Sequence, residues 1–185
     1  MSALTIFKYD GAIAHQTLHT TDAQSITDQL QLKGIRFERW LAKHEIKDGM
    51  TQDQILEIYE EQVNRLKSEC GFITVDVVSL RPDFANKAVA RQKFLDEHIH
   101  TEDEVRFFVF GQGLFYLHLG TEVFVVNCQQ NDLISVPAGT LHWFDMGPEP
   151  NFTCIRFFNH PDGWVAKFSG DQIASHVPRY EGIAR

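Results

Sequence analysis

The sequence is short of most features that announce a protein's class. Its three cysteines, Cys70, Cys128 and Cys154, are odd in number and form no C-x-x-C pair. A disulfide framework is therefore not expected, each thiol reads as a small buried hydrophobe, and a reducing compartment is the simplest setting. Basic residues are few: 17 Lys and Arg stand against 25 Asp and Glu, a formal net charge of −8, and nowhere do they cluster. Nucleic acid and anionic membrane surfaces are held by clustered cations, so neither is an expected partner. No stretch of 18 apolar residues occurs, so no bilayer-spanning helix is expected. The N-terminal stretch is interrupted by Asp10 and His15 and does not read as a secretion signal, which makes the cytoplasm the expected location. Internal repeats and low-complexity segments are missing as well.

What is present is a globular composition. The 185 residues suit one domain and include 15 Phe among 43% hydrophobic residues. A chain of this size buries roughly 70% of its unfolded surface, so a core forms without staples. The chain divides into an N-terminal α/β segment of about 1–95, a barrel core of about 72–160 and a tail over 161–185, all in a single domain. A first helix is predicted from about Asp22 to Lys33, with Thr21 as N-cap, Gln24 completing a capping box and Gly34 as its stop. A second is predicted from about Gln52 to Glu69. Thr51 and Gln54 repeat the capping box, Ile55, Ile58, Tyr59, Val63 and Leu66 form the apolar stripe, and Gly71 ends it. A shorter helix is predicted over Asn86 to Leu95. Phe72 to Leu80, rich in β-branched residues, reads as a strand.

From His98 onward the pattern changes to short apolar runs between turn signals: Val105–Phe110, Leu114–Leu119, Val123–Val126, Leu133–Val136, Leu141–Phe144 and Thr153–Phe158. Many short strands with small turns predict an antiparallel barrel or double-sheet jelly roll, whose mouth holds one small ligand. The fold class is thus mainly β with N-terminal helices.

One constellation carries chemistry. His98 and His100 are two apart, so in an extended strand their imidazoles project from the same face. Thr101-Glu102-Asp103 can form a tight turn that returns Glu104 to the same point. His142 follows in P-A-G-T-L-H, where Pro137 and Gly139 shape the turn that aims it. Three nitrogens and one oxygen with positions left open suit an octahedral first-row metal better than a closed zinc site. Fe(II), Ni(II), Mn(II) and Co(II) all fit, and ligand type alone does not choose among them. Arg106 lies two residues past Glu104 and so faces inward, where a cation needs an anion to meet. That anion is either a bound substrate or a structural carboxylate such as Asp103.

The spacing H-x-H, three residues, Glu104, six residues, Gly111, followed by P-x-G-x-x-H, resembles the two motifs of the cupin superfamily. Two departures occur at turn-shaping positions: Gln92 stands where the first motif opens with Gly, and Asn131 and Met146 stand at the ends of the second. Longer strings narrow the resemblance. Asp76–Asp83, Phe94–His98, Glu102–Phe108, Ser135–Met146 and Gly163–Phe168 together are similar to the acireductone dioxygenase family, over about residues 20–170.

That resemblance implies a cupin double-stranded β-helix and a single Fe(II) or Ni(II) per chain, held by His98, His100, Glu104 and His142. It implies a methionine-salvage enzyme that cleaves 1,2-dihydroxy-3-keto-5-methylthiopentene with O2. Iron would give 2-keto-4-methylthiobutyrate and formate; nickel would give methylthiopropionate, formate and carbon monoxide. It further implies that Arg106 meets the substrate dianion, that Glu97 aids metal loading and that Asp103 relays conformational change; for both acids plain solvation is the alternative. Phe94, Phe144 and Trp164 are expected to wall the methylthio tail, with core packing as the alternative for Phe94 and Trp164. Arg156 is either a second substrate contact or a buried ion pair. His44, His118 and His160 have no assigned role. A monomer is expected. A metal-holding cupin module without catalysis, and another cupin dioxygenase or isomerase, are the competing readings; substrate-dependent O2 uptake and product identity separate them.

Overall fold

The computed structural model describes residues 1–160 and 165–183. In chain order the elements are β1 (Ala3–Tyr9), β2 (Ala14–Thr20), α1 (Ala23–Gln31), β3 (Arg36–Arg39), α2 (Gln52–Ile58), α3 (Glu60–Cys70), β4 (Thr74–Leu80), α4 (Lys87–Gln92) and β5 (His98–Ile99). They continue with β6 (Glu104–Leu119), β7 (Glu122–Gln129), β8 (Asp132–Val136), β9 (Leu141–Asp145), β10 (Phe152–Phe158), β11 (Lys167–Phe168), α5 (Ile173–His176) and a final 3-10 turn (Tyr180–Gly182).

Every strand pairing among the described residues is antiparallel. One sheet runs β11-β5-β9-β6-β7-β1-β2, and a second path runs β4-β10-β6-β8-β3. Strand β6 joins the two. Its first half pairs with β10 and β8, its second half with β7 and β9. The result is the jelly-roll β-barrel expected from the sequence.

The two apolar runs Val105–Phe110 and Leu114–Leu119, read from the sequence as separate strands, are therefore one strand. Gly111 is a bend inside it: its φ is +69°, and a Cβ there would fall 1.8 Å from the Asn151 carbonyl oxygen. The partner strand β10 shifts register beside it, between Thr153 and Cys154. A glycine in a strand at a bulge is a corner, not a turn.

Three packed layers explain why β6 is apolar on both faces. Inside the barrel, Phe108, Phe115, Leu117, Phe144 and Phe152 meet Leu4, Phe124 and Ile134. Outside the second path, Val105, Phe107, Ile155 and Phe157 are covered by Ile55, Tyr59, Val63 and Leu66 of α2 and α3. Outside the first sheet, Leu114, Tyr116, Val125 and Trp143 are covered by Ile173, Val177 and Ile183 of the C-terminal segment.

The helices start and stop for local reasons. Thr51 and Gln54 form the expected capping box, and Gly71 ends α3 with φ 73°. The single helix predicted from Gln52 breaks at Tyr59 (φ −112°, ψ 20°). The ring of Tyr59 is drawn into the core edge-on to Phe107, and its hydroxyl donates to the His44 carbonyl. Helix α1 is capped by Asp22, which accepts from Ser25 N at 2.8 Å, not by Thr21. Strands β1, β2 and β3 were not anticipated. Two of them pair with strands of the span read as barrel core, β1 on β7 and β3 on β8, and β2 pairs with β1.

Candidate metal centre

The barrel brings the four proposed ligands together from both sheet paths. His98 on β5 stands directly opposite His142 on β9, in the first sheet. Glu104 opens β6, where it pairs with Val136 of β8 in the second path. One ring nitrogen from each of His98, His100 and His142 lies within 4.8 Å of the others. Glu104 Oε2 is 2.9 Å from His142 Nε2 and 3.2 Å from His100 Nε2. All four side chains are buried.

The opposite ring nitrogens are committed. Nδ1 lies 2.7 Å from the Asp96 carbonyl in His98, 3.2 Å from the Val165 carbonyl in His100, and 2.7 Å from the Thr140 carbonyl in His142. A carbonyl only accepts, so each Nδ1 carries the hydrogen and each Nε2 presents a lone pair. Backbone carbonyls fix imidazole tautomer and aim in this way at metal sites. The Nε2 lone pairs of His100 and His142 thus point at a carboxylate oxygen, a repulsive arrangement unless a cation sits among them. At the third imidazole, burial, followed by the neighbouring His142, holds the pKa of His98 down at about 4 and so keeps that ring neutral. Burial is the largest single influence and works against charge on Glu104, but the Arg106 guanidinium and the two facing imidazoles together outweigh it and keep the carboxyl well below its usual range. The donor set therefore fits one divalent transition metal.

Arg106 faces inward as expected, but its carboxylate is Glu104, not Asp103. Arg106 Nε is 2.7 Å from Glu104 Oε1, a close ion pair without hydrogen-bond alignment. The guanidinium lies against the adjacent rings of Phe144 and Phe115, 4.6 and 5.0 Å from their centroids. Asp103 is exposed and accepts from Ala138 N at 2.9 Å, which ties it to the turn that aims His142. Glu97 is buried, so solvation does not account for it; it accepts from His118 and Ser169.

The ligands open into a cavity of about 90 Å³, also walled by Lys93, Phe94, Arg106, Phe144, Arg156 and Ala166. Phe144 is packed in place by Gly113, where a Cβ would come 2.3 Å from its ring. Arg156 is half-buried. It forms a two-pronged ion pair with Asp76 (2.8 and 2.5 Å), and it stands opposite Arg106 in the sheet, in the cavity wall. Trp164 lies outside the described residues. His44 packs edge-on to Tyr59 beside the helices, away from the cavity. Lys93, Ala166, Asp76 and Ser169 were not singled out from the sequence; Lys93 is close to Phe94 and His98 along the chain, and the other three come near the site through long-range contacts.

Fold and site together define a class: a jelly-roll barrel in which three imidazoles that could hold a metal ion converge beside one carboxylate. The model of the ARD/ARD' family matches residues 3–166, and the chain belongs to that family. It is 58% identical over 183 residues to an acireductone dioxygenase of Hahella chejuensis, covering 99% of this chain and 98% of that one. It is 55% identical over 184 residues to one of Marinobacter nauticus, covering 100% and 98%. Among solved structures it is similar to an acireductone dioxygenase from Bacillus anthracis with a cadmium ion in its active center. The TM-score is 0.77 at 26% identity, over 91% of this chain and 98% of that one.

Proposed function

We propose that this chain is an acireductone dioxygenase whose reaction is run by one Fe(II) or Ni(II) held by His98, His100, Glu104 and His142. The observation that carries the reading is the convergence of three Nε2 lone pairs and a carboxylate beside a pair of cavity guanidiniums. Relatives of this name cover essentially the whole chain and support it.

The bound metal would chelate the substrate's enediol and lower the pKa of its oxygens, the condition for electron release to O2. The chain's own residues favour the same ionisation. Arg106 and Arg156 set two guanidiniums side by side in the cavity wall, and an enediolate is stabilised next to them. Phe94 and Phe144 give an apolar wall that suits a methylthio tail and keeps water out. Glu104, held ionised, is a ligand at neutral pH and not a proton donor. Asp103 fixes the turn before His142 and so links that loop to the ligand set.

The iron form is read as giving 2-keto-4-methylthiobutyrate and formate, the nickel form as giving methylthiopropionate, formate and carbon monoxide. No helix among the described residues is long and apolar enough to cross a membrane. With the net charge of −8, the enzyme is read as one cupin-type domain, a cytoplasmic monomer acting without nucleic acid or membrane partners. The test is anaerobic reconstitution of metal-free protein with Fe(II) and, separately, with Ni(II), followed by acireductone and O2. Both forms are expected to yield formate, and carbon monoxide only with nickel. Consumption no faster than the metal-free background in both would leave a metal-binding module without catalysis.

A further inference from the structure

The chemistry above leaves one buried acid unexplained in its surroundings. Glu97 adjoins His98 in sequence, yet it lines a separate cleft of about 300 Å³ and not the metal cavity. It is 2% exposed, and a buried carboxylate is costly unless both oxygens are met. They are: His118 Nδ1 lies 2.6 Å from Oε1, and Ser169 Oγ donates to Oε2 at 2.6 Å. His118 Nε2 in turn faces the Gly120 carbonyl at 2.9 Å, so the ring donates on both sides.

Ser169 belongs to the segment 165–171, which lies across β5. The Val165 carbonyl accepts from His100 Nδ1. Strand β11 pairs with β5, placing Phe168 opposite His98 with ring centroids 5.8 Å apart. Ser169 N donates to the Glu97 carbonyl at 3.0 Å. The segment thus supports two of the three imidazoles. Its side chains are exposed from Val165 to Asp171 except for the half-buried Ala166, so apolar burial contributes little to holding it. Segments held mainly by hydrogen bonds open at low free energy, and the bonds from Ser169 tie this one to the buried Glu97.

We propose that Ser169 and His118 are positioning residues. Acting through Glu97, they clasp the strap 165–171 onto β5 and keep His98 and His100 aimed at the metal. The inference rests on the metal-centre reading above. It assigns the aim of two ligands to a polar clasp outside the cavity, formed by residues with no contact to the metal or the substrate.

The test is calorimetric titration of metal-free protein with Ni(II), on wild type, Ser169→Ala, Ser169→Thr and His118→Phe, with circular dichroism to check that each is folded. Ser169 is exposed, so loss of its hydroxyl removes no core packing. Wild type is expected to bind one Ni(II). Ser169→Ala and His118→Phe are expected to bind about tenfold more weakly or worse, the range for losing a partner that orients a metal ligand. Ser169→Thr keeps the hydroxyl and is expected to restore wild-type affinity. Affinity within twofold of wild type in either folded deletion variant would overturn the clasp while leaving the metal centre standing. Failure of wild type itself to bind Ni(II) would overturn the metal centre and the clasp with it.

Discussion

Glu104→Ala protein is expected to bind Fe(II) or Ni(II) more than a hundredfold more weakly than wild type and to consume acireductone no faster than metal-free protein. Glu104 is the one anionic ligand, and it is the point where the two sheet paths meet across the site. Losing an orienting partner of a ligand costs about 10–100-fold in affinity, and losing the anion itself exceeds that. Arg106 is buried, and Glu104 Oε1 is 2.7 Å from its Nε. Removing one member of a buried charge pair costs about 3–5 kcal/mol, because the other charge stays in the interior. The melting temperature of the metal-free variant is therefore expected to fall by roughly 10 °C, at about 2–4 °C per kcal/mol for a chain of this size. Glu104→Gln keeps the shape and an oxygen donor but not the charge, and it is expected to lie between the two in affinity. Wild-type affinity in folded Glu104→Ala protein, measured by Ni(II) titration, would remove Glu104 from the ligand set.

Arg106→Ala is expected to lower kcat by about 100- to 1000-fold, the scale for losing one preorganised group that stabilises developing negative charge. It is also expected to move the rising limb of the pH profile to higher pH. The sign follows from the charge. A guanidinium beside a bound enediol favours its deprotonated form; without it the pKa of the bound substrate rises, and turnover needs a more alkaline medium. Each unit of displacement corresponds to about 1.4 kcal/mol of lost interaction. Arg106→Lys keeps the charge but not the planar fork packed against Phe115 and Phe144, so partial activity with a smaller displacement is expected. A rate loss with an unmoved pH profile would reduce Arg106 to a structural partner of Glu104.

That the three imidazoles converge was legible in the sequence because the determinants are local. His98 and His100 share a face by strand alternation, and Pro137 and Gly139 shape the turn before His142. The capping box at Thr51 and the stop at Gly71 were legible for the same reason. What escaped notice depends on pairing at long range. Strand β2, Ala14–Thr20, is mostly polar and exposed; it is a strand because β1 lies beside it, not because of any alternation of its own. Gly111 and Gly113 fall between two apolar runs that read as separate strands, but one is the corner of a continuous strand and the other makes room for Phe144. Arg156 and Asp76 are 80 residues apart, and Glu97 and Ser169 are 72 apart. No local pattern announces such partners, so the ion pair of Arg156 and the clasp on Glu97 became visible only once the barrel closed.

The most direct measurement is anomalous diffraction at the nickel edge from crystals of the Ni(II)-loaded protein. The account predicts one strong peak per chain, within bonding distance of Nε2 of His98, His100 and His142 and of a Glu104 carboxylate oxygen. A peak bound elsewhere, or one that leaves Glu104 and any of the three imidazoles uncoordinated, would contradict it.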